Sequence, residues 1–302
     1  MLNASFLKFA ARQKLGGDYF KTVLGAVVMF VPSYLITMLS TVMMFKSTAM
    51  GALSVVVVAI LNIIITDVFS VGYMRSLLLM KEPGEENRYD INTVLSGFTK
   101  NYKNTVKIVF LKKLYLFGWE LLFVMPIVLL GGITAFISDR PEIAKMIELV
   151  KQVVVSPTQV MVENLATHIA ENCMYFVVLS VIAAVVSVLL LIPYVRKSYE
   201  YEMISIIVAE NPNLSAKDAF GATSEVMCGY RITYFLIQLS FLGVYIIASL
   251  VASLLATPLL LYAVFSLVIP YINMTFIQFY LERRSMINES KTEIINEGNE
   301  AK

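Results

Sequence analysis

Residues 51 to 74 read GALSVVVVAILNIIITDVFSVGYM, and this stretch decides the fold class. Thirteen of residues 51 to 71 are Val, Ile, Leu or Phe. Each of these favours insertion into a bilayer by about 0.3 to 0.6 kcal/mol, whereas a central Asp opposes insertion by roughly 2.5 to 3.5 kcal/mol. The summed apolar contribution exceeds the cost of Asp67. The stretch therefore predicts a transmembrane helix that carries one carboxylate.

Further apolar runs follow the same pattern along the chain. A helix needs about 20 apolar residues to cross a bilayer, and only 15% of the 302 residues are charged, against about 25% in soluble proteins. We therefore predict an all-α fold, a polytopic membrane helical bundle of six transmembrane helices in one membrane domain over residues 1–281. Residues 282–302 are predicted to be a polar cytoplasmic tail that frays into solvent. The six predicted spans are 22–45, 51–74, 114–137, 174–195, 232–255 and 258–281.

The distribution of cations predicts the orientation of the chain. Twenty of the 24 Lys and Arg residues fall in segments that share one side of the membrane with the N-terminus. The other side holds Lys46, Arg140, Lys145 and Lys151. Because short cytoplasmic loops carry an excess of Lys and Arg, both termini are predicted to be cytoplasmic, in a multi-pass protein of the cell membrane.

Three cytoplasmic segments share one plan, a short amphipathic helix followed by a break of small, polar and aromatic residues and then by two spans. The breaks begin at Gly16, Asn101 and Cys228. Ser215 and Asp218 form a capping pair that predicts the start of the third amphipathic helix. These helices are expected to lie along the inner membrane surface as interfacial helices.

The outer segment, residues 138–172, contains apolar residues at helical spacing on both sides of Ser156-Pro157. This spacing predicts an amphipathic segment of two short helices. A helical cap on the outer membrane surface is the favoured interpretation, and a ligand-binding lid is the alternative.

Two ionisable side chains, Asp67 and Glu120, fall inside predicted spans and are functional candidates for that reason. At a rise of about 1.5 Å per residue, both lie at similar depth in the inner half of the membrane. Asn62, Thr66 and Ser70 recur at four-residue spacing beside Asp67. These five residues suggest a cytoplasm-facing polar cavity that carries a small solute or an ion.

The alternative is that both acids are structural. A basic residue near the inner interface, such as Arg75 or Lys113, would neutralise each carboxylate, or the carboxylate would be protonated. On this interpretation the two acids take no part in transport.

Several classes of chemistry lack their sequence motifs. The chain has no GxxxxGK[ST] phosphate loop, and its single histidine, His168, excludes an HExxH zinc site. We expect no enzyme activity, no catalytic, metal or cofactor-binding residue, and no nucleic-acid partner. The leading hypothesis is a non-enzymatic accessory, assembly or envelope-protection component that contacts the lipid bilayer and a membrane protein partner or a second copy. The alternative is the small-solute or ion pathway.

Several short motifs resemble the Domain of Unknown Function 975 family. They include Leu7-Lys8 with Leu15-Gly16, Ala209-Glu210-Asn211-Pro212 and Pro270-Tyr271, and the resemblance extends over nearly the whole chain. It implies a bacterial multi-pass membrane protein of unknown activity and supplies no catalytic residues.

The predicted orientation can be checked by labelling intact cells with an amine reagent that does not cross membranes. Lys46 and Lys151 should be modified in intact cells, whereas Lys81, in a cytoplasmic segment, should be modified only after permeabilisation. Peptide mass spectrometry reads out each site. Labelling of Lys46 or Lys151 solely from inside the cell would contradict the orientation.

Overall fold

The computed structural model describes residues 3–46, 48–85, 88–137, 141–155, 158–254 and 258–300. Helix is the only regular secondary structure in these ranges, so the all-α prediction is confirmed. Six of the described helices are long and apolar enough to cross a membrane, as predicted. The predicted break at Ser156-Pro157 and the outer cation Arg140 lie outside the described ranges.

The helices follow one another with short connections. Two π-helical turns, Asn62–Thr66 and Ile169–Cys173, and one 3₁₀ turn, Ile91–Leu95, lie between them. The α-helices are α1 (Ala4–Leu15), α2 (Tyr19–Lys46), α3 (Thr48–Leu61), α4 (Asp67–Leu78), α5 (Ser96–Thr99), α6 (Tyr102–Ile137), α7 (Pro141–Val155), α8 (Gln159–His168), α9 (Met174–Glu202), α10 (Ile204–Glu210), α11 (Ala216–Met227), α12 (Arg231–Leu239), α13 (Leu242–Leu254) and α14 (Pro258–Glu300).

One helical prediction needs correction, and one predicted span contains a turn. Span 232–255 is interrupted at Ser240-Phe241, between α12 and α13, but Arg231–Val251 as a whole is long and apolar enough to cross a membrane. The predicted fraying of the tail is wrong through Glu300, because α14 continues that far as one helix. A helix that is already nucleated extends without a second nucleation cost, and the ion pair between Lys291 and Glu225 of α11, at 2.6 Å, holds this extension.

The chain forms two compact units. The first consists of Met1–Lys113 and Tyr199–Lys302, and the second of Leu114–Ser198. In the second unit, Met146 of α7 packs against its neighbour Ile147 and against Leu165 of α8, and the predicted outer segment contains the two expected helices. Its position outside the membrane stays a prediction.

The core of the first unit lies at the basic ends of its helices. Nearly every residue from Val68 to Leu77 in α4, from Tyr201 to Ala209 around α10, and from Ile272 to Tyr280 in α14 is buried or half-buried. In contrast, at most 39% of the apolar window of any candidate span is buried. Packing in the first unit therefore concentrates in a helical assembly at the basic ends, built around residues 68–77, 201–209 and 272–280 and here called the basal platform. Much of the remaining surface of the candidate spans is exposed.

Two glycines bring backbones into contact in the basal platform. A Cβ added to Gly72 of α4 would lie 1.9 Å from the carbonyl oxygen of Val94, and one added to Gly97 of α5 would lie 2.4 Å from that of Val68. Both distances are far below van der Waals contact. The 3₁₀ turn and α5 are therefore seated directly on the α4 backbone.

Tyr89 makes a similar contact with α2. Its hydroxyl lies 3.0 Å from Ser76 Oγ and occupies the position that a side chain at Gly25 would take. Burial raises the pKa of Tyr89 to about 12, although the hydrogen bond with Ser76 acts in the opposite direction. The phenol therefore stays neutral and serves as a packing and hydrogen-bonding group.

A buried arginine binds the C-terminal end of α1. The Nη2 atom of Arg88 donates to the Lys14 carbonyl at 2.6 Å, and its Nη1 atom donates to the Gly16 carbonyl at 2.5 Å. The Arg88 side chain is 7% exposed and also lies 3.3 Å from the Asp18 carboxylate. The last carbonyls of a helix have no partner within the helix and carry its negative dipole end. At the α1–α2 junction, Arg88 supplies hydrogen-bond donors to the unpaired carbonyls and a positive charge at the negative end of the helix dipole.

Two further arginines bind helix ends in the same way. Arg75 Nη1 donates to the Ala209 carbonyl near the end of α10 at 3.0 Å. Arg283 Nε donates to the Val226 carbonyl near the end of α11 at 3.0 Å, and its guanidinium lies 3.8 Å from the centre of the Tyr230 ring. Each of the short helices α1, α10 and α11 thus ends on an arginine from another segment. We call these three contacts the arginine caps.

Replacing Gly72 with Ala should lower the free energy of unfolding by about 2 kcal/mol or more, because the new methyl group meets a backbone carbonyl that cannot move alone. Gly221→Ala is the matched control, since a Cβ at Gly221 meets no atom within 4 Å. That helical change should be neutral or stabilising by up to about 1 kcal/mol. Thermal unfolding in detergent measures both variants, and equal stability of the two would contradict the close approach.

Arg88→Lys should destabilise the protein by about 1.5 to 3 kcal/mol, the usual contribution of a hydrogen bond to a charged group. Lysine keeps the charge but lacks the planar fork that reaches two carbonyls. Arg196→Lys makes the same change at an exposed position and should leave the melting temperature unchanged. An unaltered melting temperature for Arg88→Lys would show that charge alone suffices at this junction.

Candidate functional site

The predicted polar stripe lies in the first unit, where α3 passes into α4. Residues Asn62–Thr66 form a π-helical turn, and the Asp67 N–H donates to the Asn62 carbonyl. A π-turn widens the helix by one residue, and such turns often occur at functional sites. Asn62, Thr66, Asp67 and Ser70 are all half-buried. The sequence pattern did not reveal the wider turn, because the apolar run through it is continuous.

Asp67 forms an ion pair with Lys113, which ends the N-terminal segment of the first unit. The Nζ atom of Lys113 lies 2.6 Å from Asp67 Oδ2, and the two side chains are 43% and 25% exposed. Of the two cations considered as neutralising partners, Lys113 is the one that pairs with Asp67, while Arg75 binds the Ala209 carbonyl. An ion pair brings no net charge into a region of low dielectric constant.

Aromatic side chains connect this pair to the start of α6. The Tyr102 hydroxyl donates to the Ile64 carbonyl inside the π-turn at 3.2 Å. Phe98 stacks on Tyr102 with ring centres 5.6 Å apart and meets Phe69 edge-on at 4.9 Å. The α5–α6 junction is therefore attached directly to the π-turn. No sequence signal indicated this contact, because a bond to a carbonyl 38 positions away leaves no periodic pattern.

The hydroxyl of Thr66, which precedes Asp67 in the chain, is an unsatisfied polar group. Its Oγ1 atom is buried and makes no hydrogen bond to any described residue. A buried hydroxyl without a partner is costly. The Thr66 hydroxyl is therefore able to form a hydrogen bond with a small polar species near Asp67.

Glu120, the second acid of the predicted cavity, belongs to the second unit. Its side chain is exposed on α6. Asn62, Thr66, Asp67 and Ser70 are therefore brought together by one continuous helix of the first unit. A cavity shared with Glu120 stays a prediction.

Ionic contacts outside the predicted spans were missed by the sequence analysis. Glu200 is 3% exposed and forms an ion pair with Arg231 at 2.8 Å. Glu210 accepts a hydrogen bond from the Tyr280 hydroxyl at 2.7 Å and pairs with Arg284. All these groups bind other parts of the basal platform. In the sequence, Arg231 and Arg284 indicate only the orientation of the chain in the membrane.

A second connection within the platform involves the predicted break at Asn101. Asn101 adopts a positive φ of 52°, and its side-chain amide donates to Asn213 Oδ1 at 3.0 Å. The Asn104 amide donates to the Pro212 carbonyl at 2.9 Å and the Leu214 carbonyl at 2.7 Å. The turn before α11 is thus held by the residues that precede and begin α6.

The chemistry available to this site is limited by its residues. In the ranges that the structure describes, no group of three or more His, Cys, Asp or Glu side chains could hold a metal ion. The Asp67–Lys113 pair, the π-turn and the Thr66 hydroxyl can stabilise the helix junction or bind a small polar species. Both uses are compatible with a membrane-embedded location.

Comparison with known proteins gives the family. No curated protein and no solved structure matches the chain. Residues 1–286 match the family described as Protein of unknown function (DUF975). One motif that carried the resemblance, Ala209-Glu210-Asn211-Pro212, lies in the basal platform, where the Ala209 carbonyl accepts a hydrogen bond from Arg75 and Glu210 pairs with Arg284. The chain has six helices that are long and apolar enough for a membrane protein, and, with a match over nearly its full length, it belongs to the DUF975 family, whose function is unknown.

Proposed function

We propose that the chain is a non-enzymatic accessory, assembly or envelope-protection component of the bacterial cell membrane, with several passes and both termini in the cytoplasm. The observation that carries this proposal is the Asp67–Lys113 ion pair at 2.6 Å. The acid that a transport pathway would use is already bound to a cation of the same unit. In this interpretation the polar groups at membrane depth have an architectural role.

The charged residues of the basal platform bind other residues of the protein, and this supports the same proposal. The arginine caps and the Glu200–Arg231 pair join short helices to one another. The apolar surface of the spans is largely open, which suits lipid and a membrane protein partner or a second copy. We expect no nucleic-acid partner.

Exchanging the two charges distinguishes an architectural pair from a transport residue. Asp67→Lys and Lys113→Asp should each lower the melting temperature, because each leaves two like charges side by side. The double variant should recover most of the loss. The matched control is the same exchange at Glu225 and Lys291, an exposed pair, where the coupling should be below about 1 kcal/mol. No recovery in the Asp67–Lys113 double variant would contradict an architectural role.

The alternative function is a small-solute or ion pathway that uses Asp67 and Glu120. The π-turn at Asn62–Thr66 and the unpaired Thr66 hydroxyl favour it. On this alternative, flux in proteoliposomes should be abolished by Asp67→Asn and by Glu120→Gln. The exchanged-charge variant should be inactive as well, although it is folded. Flux that survives all three changes, or no flux in the unaltered protein, would leave the architectural proposal as the better account.

A further inference from the structure

Two cations on α1, Lys8 and Arg12, have no anionic partner in the part of the chain that the structure describes. Lys8 and Arg12 are one helical turn apart, so both project from the same side of α1. Among the described residues no carboxylate lies within ion-pair distance of either side chain, in contrast to Lys14, Lys21 and Lys113, each of which pairs with an acid. Burial and the neighbouring Arg12 charge both lower the pKa of Lys8. The pair therefore carries positive charge that the protein does not neutralise.

Both cations are held in place by contacts that leave most of their donors free. Lys8 Nζ donates to the Ser240 carbonyl at 3.1 Å and lies 4.1 Å from the centre of the Phe241 ring. Arg12 Nε donates to the Tyr271 hydroxyl at 3.1 Å. The two terminal nitrogens of the Arg12 guanidinium, which form the fork that binds phosphate oxygens, make no hydrogen bond to the described residues. Both head groups therefore keep donors that an anion can use.

An apolar cavity of about 220 Å³ lies next to Arg12. It is lined by Arg12, Leu15, Gly16, Tyr19 and Tyr271. The Tyr19 hydroxyl donates to the Leu267 carbonyl at 2.5 Å, which fixes one wall. An apolar cavity next to a cationic side chain suits an amphipathic ligand.

The surroundings favour a lipid over a free anion. Tyr19 begins the first candidate span, so the cavity lies where α1 meets the membrane-crossing helices. Phe6, Phe9 and Phe20 are 55%, 63% and 70% exposed, and aromatic residues of this kind insert at the boundary between headgroups and acyl chains.

We propose that Lys8 and Arg12 bind the phosphodiester of an anionic phospholipid, whose glycerol backbone enters the cavity between Tyr19 and Tyr271. The site is independent of the proposed function and of Asp67. It would select phosphatidylglycerol over phosphatidylcholine, because the choline cation of the latter offsets the phosphate charge. The bound lipid would join α1 to α14.

The test is native mass spectrometry of the full-length protein titrated with phosphatidylglycerol. Lys8→Gln combined with Arg12→Gln should weaken binding of the tightest lipid at least tenfold. Lys103→Gln combined with Lys107→Gln is the matched control, because it removes two exposed cations at the same helical spacing from α6. The control should change this affinity less than twofold. Equal affinity of the Lys8/Arg12 variant and the unaltered protein would overturn the proposal, as would an equal loss in the control.

A second measurement does not depend on the folding of any variant. A phosphatidylglycerol with a photoreactive group near its headgroup should crosslink the unaltered protein within α1 or at the Tyr271 region of α14. Phosphatidylcholine should compete at least tenfold less well, and inorganic phosphate should not compete at millimolar concentration. Crosslinks confined to other segments, or full competition by phosphatidylcholine or by inorganic phosphate, would overturn the lipid assignment.

Discussion

The bond between an arginine guanidinium and the carbonyls at a helix end is the interaction on which the basal platform depends. Short helices leave a large share of their carbonyls unpaired, and α10 has only seven residues. Near a membrane such ends cannot rely on water alone. Arg88, Arg75 and Arg283 supply the missing donors for α1, α10 and α11. Because each arginine comes from a different segment, the same bonds also set how those segments are arranged.

Close backbone contacts act together with these caps. Gly72 and Gly97 allow the turn after α4 to lie directly on that helix, and this places Arg88 beside the end of α1. Tyr89, the next residue, fills the space over Gly25. A short stretch of sequence therefore connects α1, α2 and α4. The packing is dense at this end of the first unit, whereas the spans beyond it bury little of their surface.

The Asp67 environment shows how the platform and the membrane meet. Asp67 lies immediately before the buried part of α4, where protein packing gives way to exposed helix surface. Its pairing with Lys113 removes the cost of an isolated charge at that boundary. The π-turn before it and the Tyr102 bond to Ile64 join the start of α6 to the same point. The residues around Asp67 therefore both neutralise its charge and attach the start of α6 to the π-turn.

The sequence by itself determined the class of protein, the number of apolar helices and the amphipathic helices α1 and α11, because these depend on composition and on periodicity along one chain. Ser215, for example, caps α11 as its spacing with Asp218 predicts. The second predicted amphipathic helix, before Asn101, is instead a 3₁₀ turn, Ile91–Leu95, followed by the four-residue helix α5. Only the tertiary structure decided which cations are architectural, since Arg88, Arg75 and Arg283 bind carbonyls 57 to 134 positions away. It also decided that Lys113 neutralises Asp67 and that α14 extends through the tail. Such contacts depend on how distant segments are placed relative to one another. The pattern of polar and apolar residues along the sequence does not predict that placement.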